Sequence, residues 1–408
     1  MAQLLAAYAL LADYTTDWLD LVFRWFHATA AIVWIGTSFY FVALDNHLAE
    51  PEREVDRAEG VGGESWEIHG GGFYRIHKFR GAPPHLPKPL HWYKWEAYWT
   101  WLSGFALLCI IYYTDARLRL IDPSVADLRP WQAILISVAL LAVAWVVYDL
   151  LCRMLGNRPL VLAAAILGAV TGAAYGVAQL YQPRATYLQA GAMLGTVMAA
   201  NVLLVIIPGH WELVRAKKAG RPPDAKAGIV GKQRSVHNNY LTLPVLFTML
   251  AGHFPFTYSH DHAWGVLVAL MAVGAAIRHY FNKRHAGETL WWIPIGCAAA
   301  IAGIAVWLRP TSAAPAKPGA ARVPFAQVQK IVAARCQPCH SQHPTQPGFT
   351  SAPAGFVFDT PQQIAANAAL IRQLAVATPS MPLGNATHMT QAERDLLGHW
   401  IDQGARIR

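Results

Sequence analysis

Cys336-Gln337-Pro338-Cys339-His340 carries the most specific chemistry in this chain. Two thiols three residues apart can add across the two vinyl groups of one haem, and the adjacent imidazole is then placed to ligate the iron. A bare redox dithiol or half of a zinc site would use the same cysteines. The directly following His340, and the lack of a second C-x-x-C, favour covalent haem c. The sixth ligand should be a thioether or a second imidazole. Met381, in Pro379-Ser380-Met381-Pro382, is the expected ligand and Met389 the alternative. Met389 precedes Thr390-Gln391-Ala392-Glu393, a capping-box pattern that gives it a structural role at a helix start.

The elements around this motif are helical. Phe325, Val328, Ile331 and Val332 form one apolar face leading to Cys336, and Leu396, Leu397, Trp400 and Ile401 form another. Residues 323–408 are therefore expected to be a small helical cytochrome c domain, with the haem filling a core that so short a segment could not otherwise build.

The rest of the chain has a different composition. Hydrophobic residues make up 54% of the whole and charged residues only 14%, which places most of it in a lipid bilayer. Apolar runs of spanning length fall at about 18–45, 91–114, 130–151, 159–182, 186–208, 236–254, 263–284 and 289–308. The expected fold is all-α: a polytopic membrane bundle of about eight transmembrane helices over residues 1–310, a Pro/Ala linker at 311–322, and the cytochrome c domain. The apolar stretch Leu4 to Leu11 has no basic flank and is not expected to be a signal peptide. Cys109, Cys152 and Cys297 sit singly in or beside these helices and read as core thiols.

Charge orients the bundle. Seventeen Lys and Arg fall on the side of the loop following the first helix, against four on the other side. The positive-inside bias puts the richer side in the cytoplasm and both termini outside. The C-terminal haem domain then faces the periplasm of a bacterial inner membrane, the side on which haem is attached to C-x-x-C-H. The net charge of +9 is mostly this bias, so nucleic acid is not an expected partner.

Polar groups within apolar helices are costly and mark function. An inner layer holds Asp45, His47, His91, Lys94, Glu96, Asp149, His210, Glu212, His237, Asn238, Asn239 and His279. An outer layer holds Asp20, Arg24, His27, His253, His260, Asp261 and His262. Histidines in a redox membrane protein suggest b-type haem. His27 and His253 lie at similar depth and could sandwich one haem, with iron ligated through both; His210, His237 and His279 could hold a second. One or two haems b are therefore expected besides haem c. The loop from Leu48 to Leu90 is too long to be idle. Its centre, W-E-I-H-G-G-G-F-Y-R-I-H-K-F, could close over the inner mouth as a lid.

Several long motifs carry a family resemblance. They are R-W-F-H-A-T-A-A-I-V-W-I-G-T-S-F-Y-F (Arg24 to Phe41), the loop just quoted, H-W-Y-K-W-E-A-Y-W-T-W-L-S-G (His91 to Gly104), H-N-N-Y-L-T-L-P-V-L-F-T-M-L (His237 to Leu250) and M-P-L-G-N-A-T-H-M-T (Met381 to Thr390). Together they resemble the bacterial membrane-bound urate hydroxylase, an eight-helix protein with a C-terminal cytochrome c. His388 departs from that pattern, outside the ligand positions. The resemblance implies oxidation of urate to 5-hydroxyisourate, with electrons leaving through the cytochrome to a downstream cytochrome or terminal oxidase and no peroxide formed. An anionic purine needs a cation, ring-edge partners and a base; Arg75, Asn238, His69, His77, Glu96 and His237 are the expected catalytic groups. A conduit passing electrons from quinol to cytochrome, with no purine chemistry, is the alternative.

The charge asymmetry has a direct test. A reporter active only in the cytoplasm, fused after Arg408, should be silent; strong activity in the haem-loaded protein would overturn the helix count.

Overall fold

In the computed structural model, residues 2–123, 125–260, 262–309, 322–378 and 380–407 are described, residues 2–13 by backbone alone. The linker at 311–321, and Asp261 of the outer layer, lie outside the described residues.

Each of the eight apolar segments is helical. They are α1 (Ala2–His47), α2 (Trp95–Leu107), α3 (Pro130–Leu155), α4 (Pro159–Ala178), α5 (Pro183–Lys218), α6 (Ala225–Ala251), α7 (Ala263–His285) and α8 (Trp292–Trp307). Pro130, Pro159 and Pro183 open α3, α4 and α5, where a missing N–H costs nothing. Asp224 caps α6, its side chain accepting from the Lys226 N–H at 2.9 Å. A π-helical turn, Leu108–Tyr113, continues α2, and another, Val202–Ile206, lies within α5. Five helices are long and apolar enough to cross a membrane: Tyr14–His47 and those from Pro130, Pro159, Pro183 and Ala263. α6 begins eleven residues before the expected 236. Lys226, Lys232 and Arg234, three of the seventeen basic residues expected in loops, are therefore helical, and Arg234 is buried.

The bundle is apolar outside and polar within. Leu135, Met154, Leu160 and Ile295 are exposed, whereas Gln189, Asn201, Arg234, Asn238, Asn239 and Arg278 are buried. The interior groups pair across helices. Ser137 of α3 donates to Gln189 of α5 at 2.6 Å, and the Gln189 amide donates back to the Ser137 carbonyl at 3.0 Å. An exterior of this kind needs a covering apolar phase.

The expectation of an all-helical chain is corrected in one place. The long loop after α1 folds as an antiparallel hairpin, β1 (Val61–His69) and β2 (Gly72–Phe79). Gly70 and Gly71 form its two-residue turn with φ of +55° and +80°, as a type I′ turn requires. The glycine run is thus turn chemistry. The large apolar side chains do not close over the bundle: Trp66, Ile68, Phe73 and Tyr74 are all exposed. The register sets Glu64 opposite His77 and Trp66 opposite Arg75. Arg75 then reaches both Glu64 and Asp56 at 2.5 Å, tying the hairpin to the short helix Glu54–Ala58.

The C-terminal segment packs α9 (Phe325–Arg335) against α10 (Gln391–Asp402) over Val328, Val332, Ile364, Leu397 and Trp400. The capping box forms as expected, with the Glu393 carboxylate accepting from the Thr390 N–H at 2.7 Å. This unit rests on the outer loops of the bundle. Thr350 donates to Asp17 at 3.3 Å, Ser259 bonds Ser380, and Leu383 shares a cleft with Tyr112 and Arg184.

The hairpin node sets a pH dependence. Hydrogen bonds from Arg53 and Arg75 hold the Asp56 carboxyl below its usual range. The Glu52 N–H and Arg75 do the same for Glu64. Depressed folded-state values add stability that is present above the unfolded carboxylate range and lost as pH falls. Protection of the hairpin from an acid-active protease should be flat near neutrality and fall below about pH 4. In Arg75→Gln the protein should be less protected near neutrality and the fall with acid shallower, because the folded-state values move back toward the unfolded ones.

Candidate functional site

α7 carries a polar stripe at helical spacing: Arg278, Asn282 and His285, each four or three residues after the last. All three face the bundle interior. The Arg278 guanidinium is 4% exposed and stacks over the Phe39 ring of α1 at 3.9 Å. Its Nε donates to Asn239 Oδ1 of α6 at 2.8 Å, and the Asn282 amide donates to the same oxygen at 2.9 Å. Asn46 of α1 donates to the Asn282 carbonyl at 3.2 Å. Four buried atoms in this group have no partner among the described residues: Arg278 Nη2, Asn239 Nδ2, Asn282 Oδ1 and His285 Nδ1. No carboxylate pairs with Arg278 among those residues. A buried cation with spare donors, beside an amide donor and an amide acceptor, is arranged to take a planar anion with both carbonyl and N–H edges.

A second buried arginine on α6 is differently placed. Arg234 pairs with Asp149 at 2.6 Å and lies 4.9 Å from the Tyr148 ring centre. His237 Nδ1 is 2.7 Å from the Tyr148 hydroxyl. The Asn201 amide donates to Tyr148 at 3.2 Å and to Asn238 Oδ1 at 2.9 Å. Asn238 in turn donates to the Met198 carbonyl at 3.0 Å, so both ends of its amide are used. This cluster joins α3, α5 and α6; Arg234 Nε and Nη1 and Asn201 Oδ1 have no partner among the described residues, but its charge is neutralised by Asp149.

The expected catalytic residues are therefore dispersed. His69 sits exposed at the hairpin tip. Arg75 is clamped between two carboxylates, so its charge is already satisfied. His77 Nε2 lies 3.4 Å from Glu64 Oε2 in the same node. Asp56, Glu64 and His77 have donor atoms within 4.8 Å of one another, but the Arg75 guanidinium takes the place a cation would occupy between them. Glu96 stands in the first turn of α2, with Oε2 buried and unpaired. His237 and Asn238 belong to the Arg234–Tyr148 cluster. Arg278, Asn282 and His285 were missed, although a three-residue polar stripe inside an apolar helix is legible at spacing i, i+4, i+7.

The haem-ligand expectations also separate. His27 lines a cavity between α1, α2, α5 and α6, but His253 is exposed beyond the end of α6 and away from it. The structure does not bring those two imidazoles together. His279 bonds Tyr240 at 2.6 Å, while His210 packs by Trp92 with ring centres 6.4 Å apart. Each of His210, His237 and His279 has its own neighbours, and they do not converge on one space.

The C-terminal unit holds the remaining expected donors. Cys336 ends α9, and the N–H groups of Cys339 and His340 both return to its carbonyl, at 3.2 and 2.8 Å. Cys336 and Met381 pack on the same core. His340 Nδ1 is 3.0 Å from the Phe356 carbonyl, which fixes the proton there and leaves Nε2 with its lone pair. Met381 is held by its N–H to the Leu374 carbonyl at 2.8 Å, and its own carbonyl accepts from Arg394 at 2.7 Å. Met389 is only 4% exposed and fills the protein core. Burial pushes the Cys336 thiol up to about 12 and raises Cys339 too. Reactive redox dithiols have the opposite shift.

Fold and site thus define a helical bundle that keeps its ionisable groups inside and its apolar groups outside. The chain matches the urate oxidase N-terminal family over residues 13–309 and belongs to it. The match ends before the C-terminal unit. No curated protein and no solved structure was matched.

The two buried arginines should respond differently to removal. Arg234→Met leaves Asp149 only its pair with the largely exposed Arg153 and should lower the melting temperature. Arg278→Met strands no carboxylate, so the melting temperature of the ligand-free protein should hold or rise.

Proposed function

We propose that this protein is a membrane-bound urate hydroxylase that binds urate at Arg278 and sends its electrons to a haem c in the C-terminal unit. The observation that carries the reading is the buried, uncompensated Arg278 with its unpaired neighbours, in a chain of the urate oxidase N-terminal family. Urate is a planar anion. Arg278 Nη2 would take its charge, Asn239 Nδ2 would donate to a carbonyl oxygen, and Asn282 Oδ1 would accept from a ring N–H. A quinol conduit has no use for such a group.

The reaction balances with water as the oxygen source: urate and water give 5-hydroxyisourate, two protons and two electrons. His285, on the same stripe with Nδ1 unpaired, is placed to take a proton from the attacking water. His237, held by Tyr148, stands in the neighbouring network and could relay it. Phe39 gives the purine an aromatic face close to Arg278. Cys336 and Cys339 would hold haem c by thioether bonds, with His340 and Met381 as axial ligands; bound there, it supplies one-electron transfer. Two electrons per urate then leave singly to a downstream cytochrome or terminal oxidase.

The exposed apolar girdle and the five spanning-length helices support placing the bundle in a bacterial inner membrane. The remaining three segments complete an eight-helix reading. Even without Arg234, basic residues remain concentrated on the hairpin side, which favours a cytoplasmic hairpin and a periplasmic C-terminal unit.

Urate added anaerobically to the oxidised, purified protein should reduce haem c, seen as the ferrous absorbance change. No change would sink the assignment. Arg278→Gln should raise KM for urate about 100-fold, as expected for loss of a buried charge-assisted hydrogen bond. Arg278→Lys should recover part of that loss.

A further inference from the structure

The hairpin ends in an exposed apolar tip. Ile68 and Phe73 pair across the strands and are 71% and 79% exposed. Trp66 and Tyr74 beside them are exposed as well. From Ile68 to Tyr74 there is no Lys, Arg, Asp or Glu. Alternation along the strands puts Glu64, Trp66 and Ile68 on one face together with Phe73, Arg75 and His77. Arg75, held by Asp56 and Glu64, lies 5.5 Å from the centre of the Trp66 ring on that face. The tip is thus carried on a base that is already fixed.

The other face is fastened to α1, and the fastenings give the hairpin its direction. Ala49 and Glu64 exchange two backbone hydrogen bonds at 2.9 Å. His47 Nε2 lies 3.1 Å from Ser65 Oγ, and the Tyr40 hydroxyl donates to Glu67 at 2.8 Å. Later residues of β1 therefore meet earlier positions of α1. The hairpin folds back along the helix it follows, toward the apolar stretch of α1. Tyr40 stands seven residues inside the end of α1, about 10 Å along its axis. The turn at Gly70 is three residues beyond Glu67, about 10 Å further along the strand.

Aromatic residues ring the bundle at this same end. Tyr40 and Phe41 of α1, Tyr93, and Trp95 at the start of α2 are exposed, with the Phe41 and Tyr93 rings 5.0 Å apart. The bond from Asn46 to Asn282 brings the ends of α1 and α7 together, so α8 also starts here, with Trp291 and Trp292 exposed. Exposed Trp and Tyr at one level of an apolar bundle mark a membrane–water interface. The hairpin tip points into that level.

We propose that the hairpin is a second membrane contact, with Ile68 and Phe73 seated among the headgroups and upper acyl chains of the leaflet around this end of the bundle. Its occupant is lipid, because the tip runs along the exposed apolar flank of α1 and is continuous with the aromatic belt. Trp66, Ile68 and Phe73 lie on the face away from α1, which does not suit a lid on the bundle. Depth is limited by the backbone. A two-stranded hairpin leaves its outer-edge N–H and C=O groups unpaired, and the hydrocarbon core does not tolerate them, so the side chains enter and the strands stay at the surface. With no cation at the tip, the contact is apolar and withstands salt. The proposal rests on the membrane placement of the bundle and is independent of urate.

A nitroxide label at Phe73→Cys, in the full-length protein in lipid nanodiscs, reads the contact directly. Its relaxation is measured with oxygen, which concentrates in lipid, and with a water-soluble nickel chelate, after subtracting the signal of the unsubstituted protein. Ile32→Cys, on the exposed flank of α1, and Val55→Cys, on the short helix Glu54–Ala58, give the lipid and water references. The oxygen-to-nickel accessibility ratio at position 73 should be several-fold above that at 55, should approach that at 32, and should not change with added salt. Adding Ile68→Asp should bring it down to the value at 55. A ratio at 73 no higher than at 55, a ratio unmoved by Ile68→Asp, or shielding from both reagents, as burial against a second copy or the bundle would give, would each overturn the proposal. A low ratio at position 32 as well would overturn the membrane placement and this proposal with it, whereas a low ratio at 73 alone overturns only the hairpin contact.

Discussion

A charge buried in an apolar bundle must find a partner, and much of this structure follows from where it does so. Arg234 finds Asp149 at 2.6 Å, and the pair fastens α6 to α3. Arg75, outside the bundle, finds Asp56 and Glu64 and fastens the hairpin. Among the described residues, Arg278 finds an amide oxygen and an aromatic face and no carboxylate. The cost of desolvating a guanidinium is too large to leave uncompensated without a reason. An anionic ligand is the compensation that the surrounding unpaired amides fit.

The same accounting separates structure from chemistry among the polar residues. Asn238 and Asn239 are sequence neighbours on α6, about 100° apart around the helix. Asn238 points to α5 and has both amide ends bonded; Asn239 points to α7 and has Nδ2 free. One has its amide fully engaged, and the other keeps a donor free for a ligand. No composition or spacing argument distinguishes two adjacent asparagines.

The bundle and the C-terminal unit also divide the labour spatially. The polar stripe of α7 lies toward the hairpin end, and the thiol–imidazole–thioether group lies at the other end, against Tyr112 and Ser259. The apolar cavity at His27 occupies the stretch between them.

The sequence by itself determined the positions of all eight helical segments, since apolar runs bounded by proline and charge leave little choice. It also determined the capping box at Thr390 and the C-x-x-C-H donor set, because both are local patterns within a few residues. The β-hairpin was hidden in a loop whose glycines looked like chemistry; only backbone φ values show that they make the turn. Tertiary structure alone decided that Arg75 is neutralised, that His253 stands away from His27, and that Arg278 is left without a countercharge. Those are facts about which helices face one another. The physical reason is that partner choice depends on relative rotation of packed helices, which a single helix's periodicity leaves undetermined.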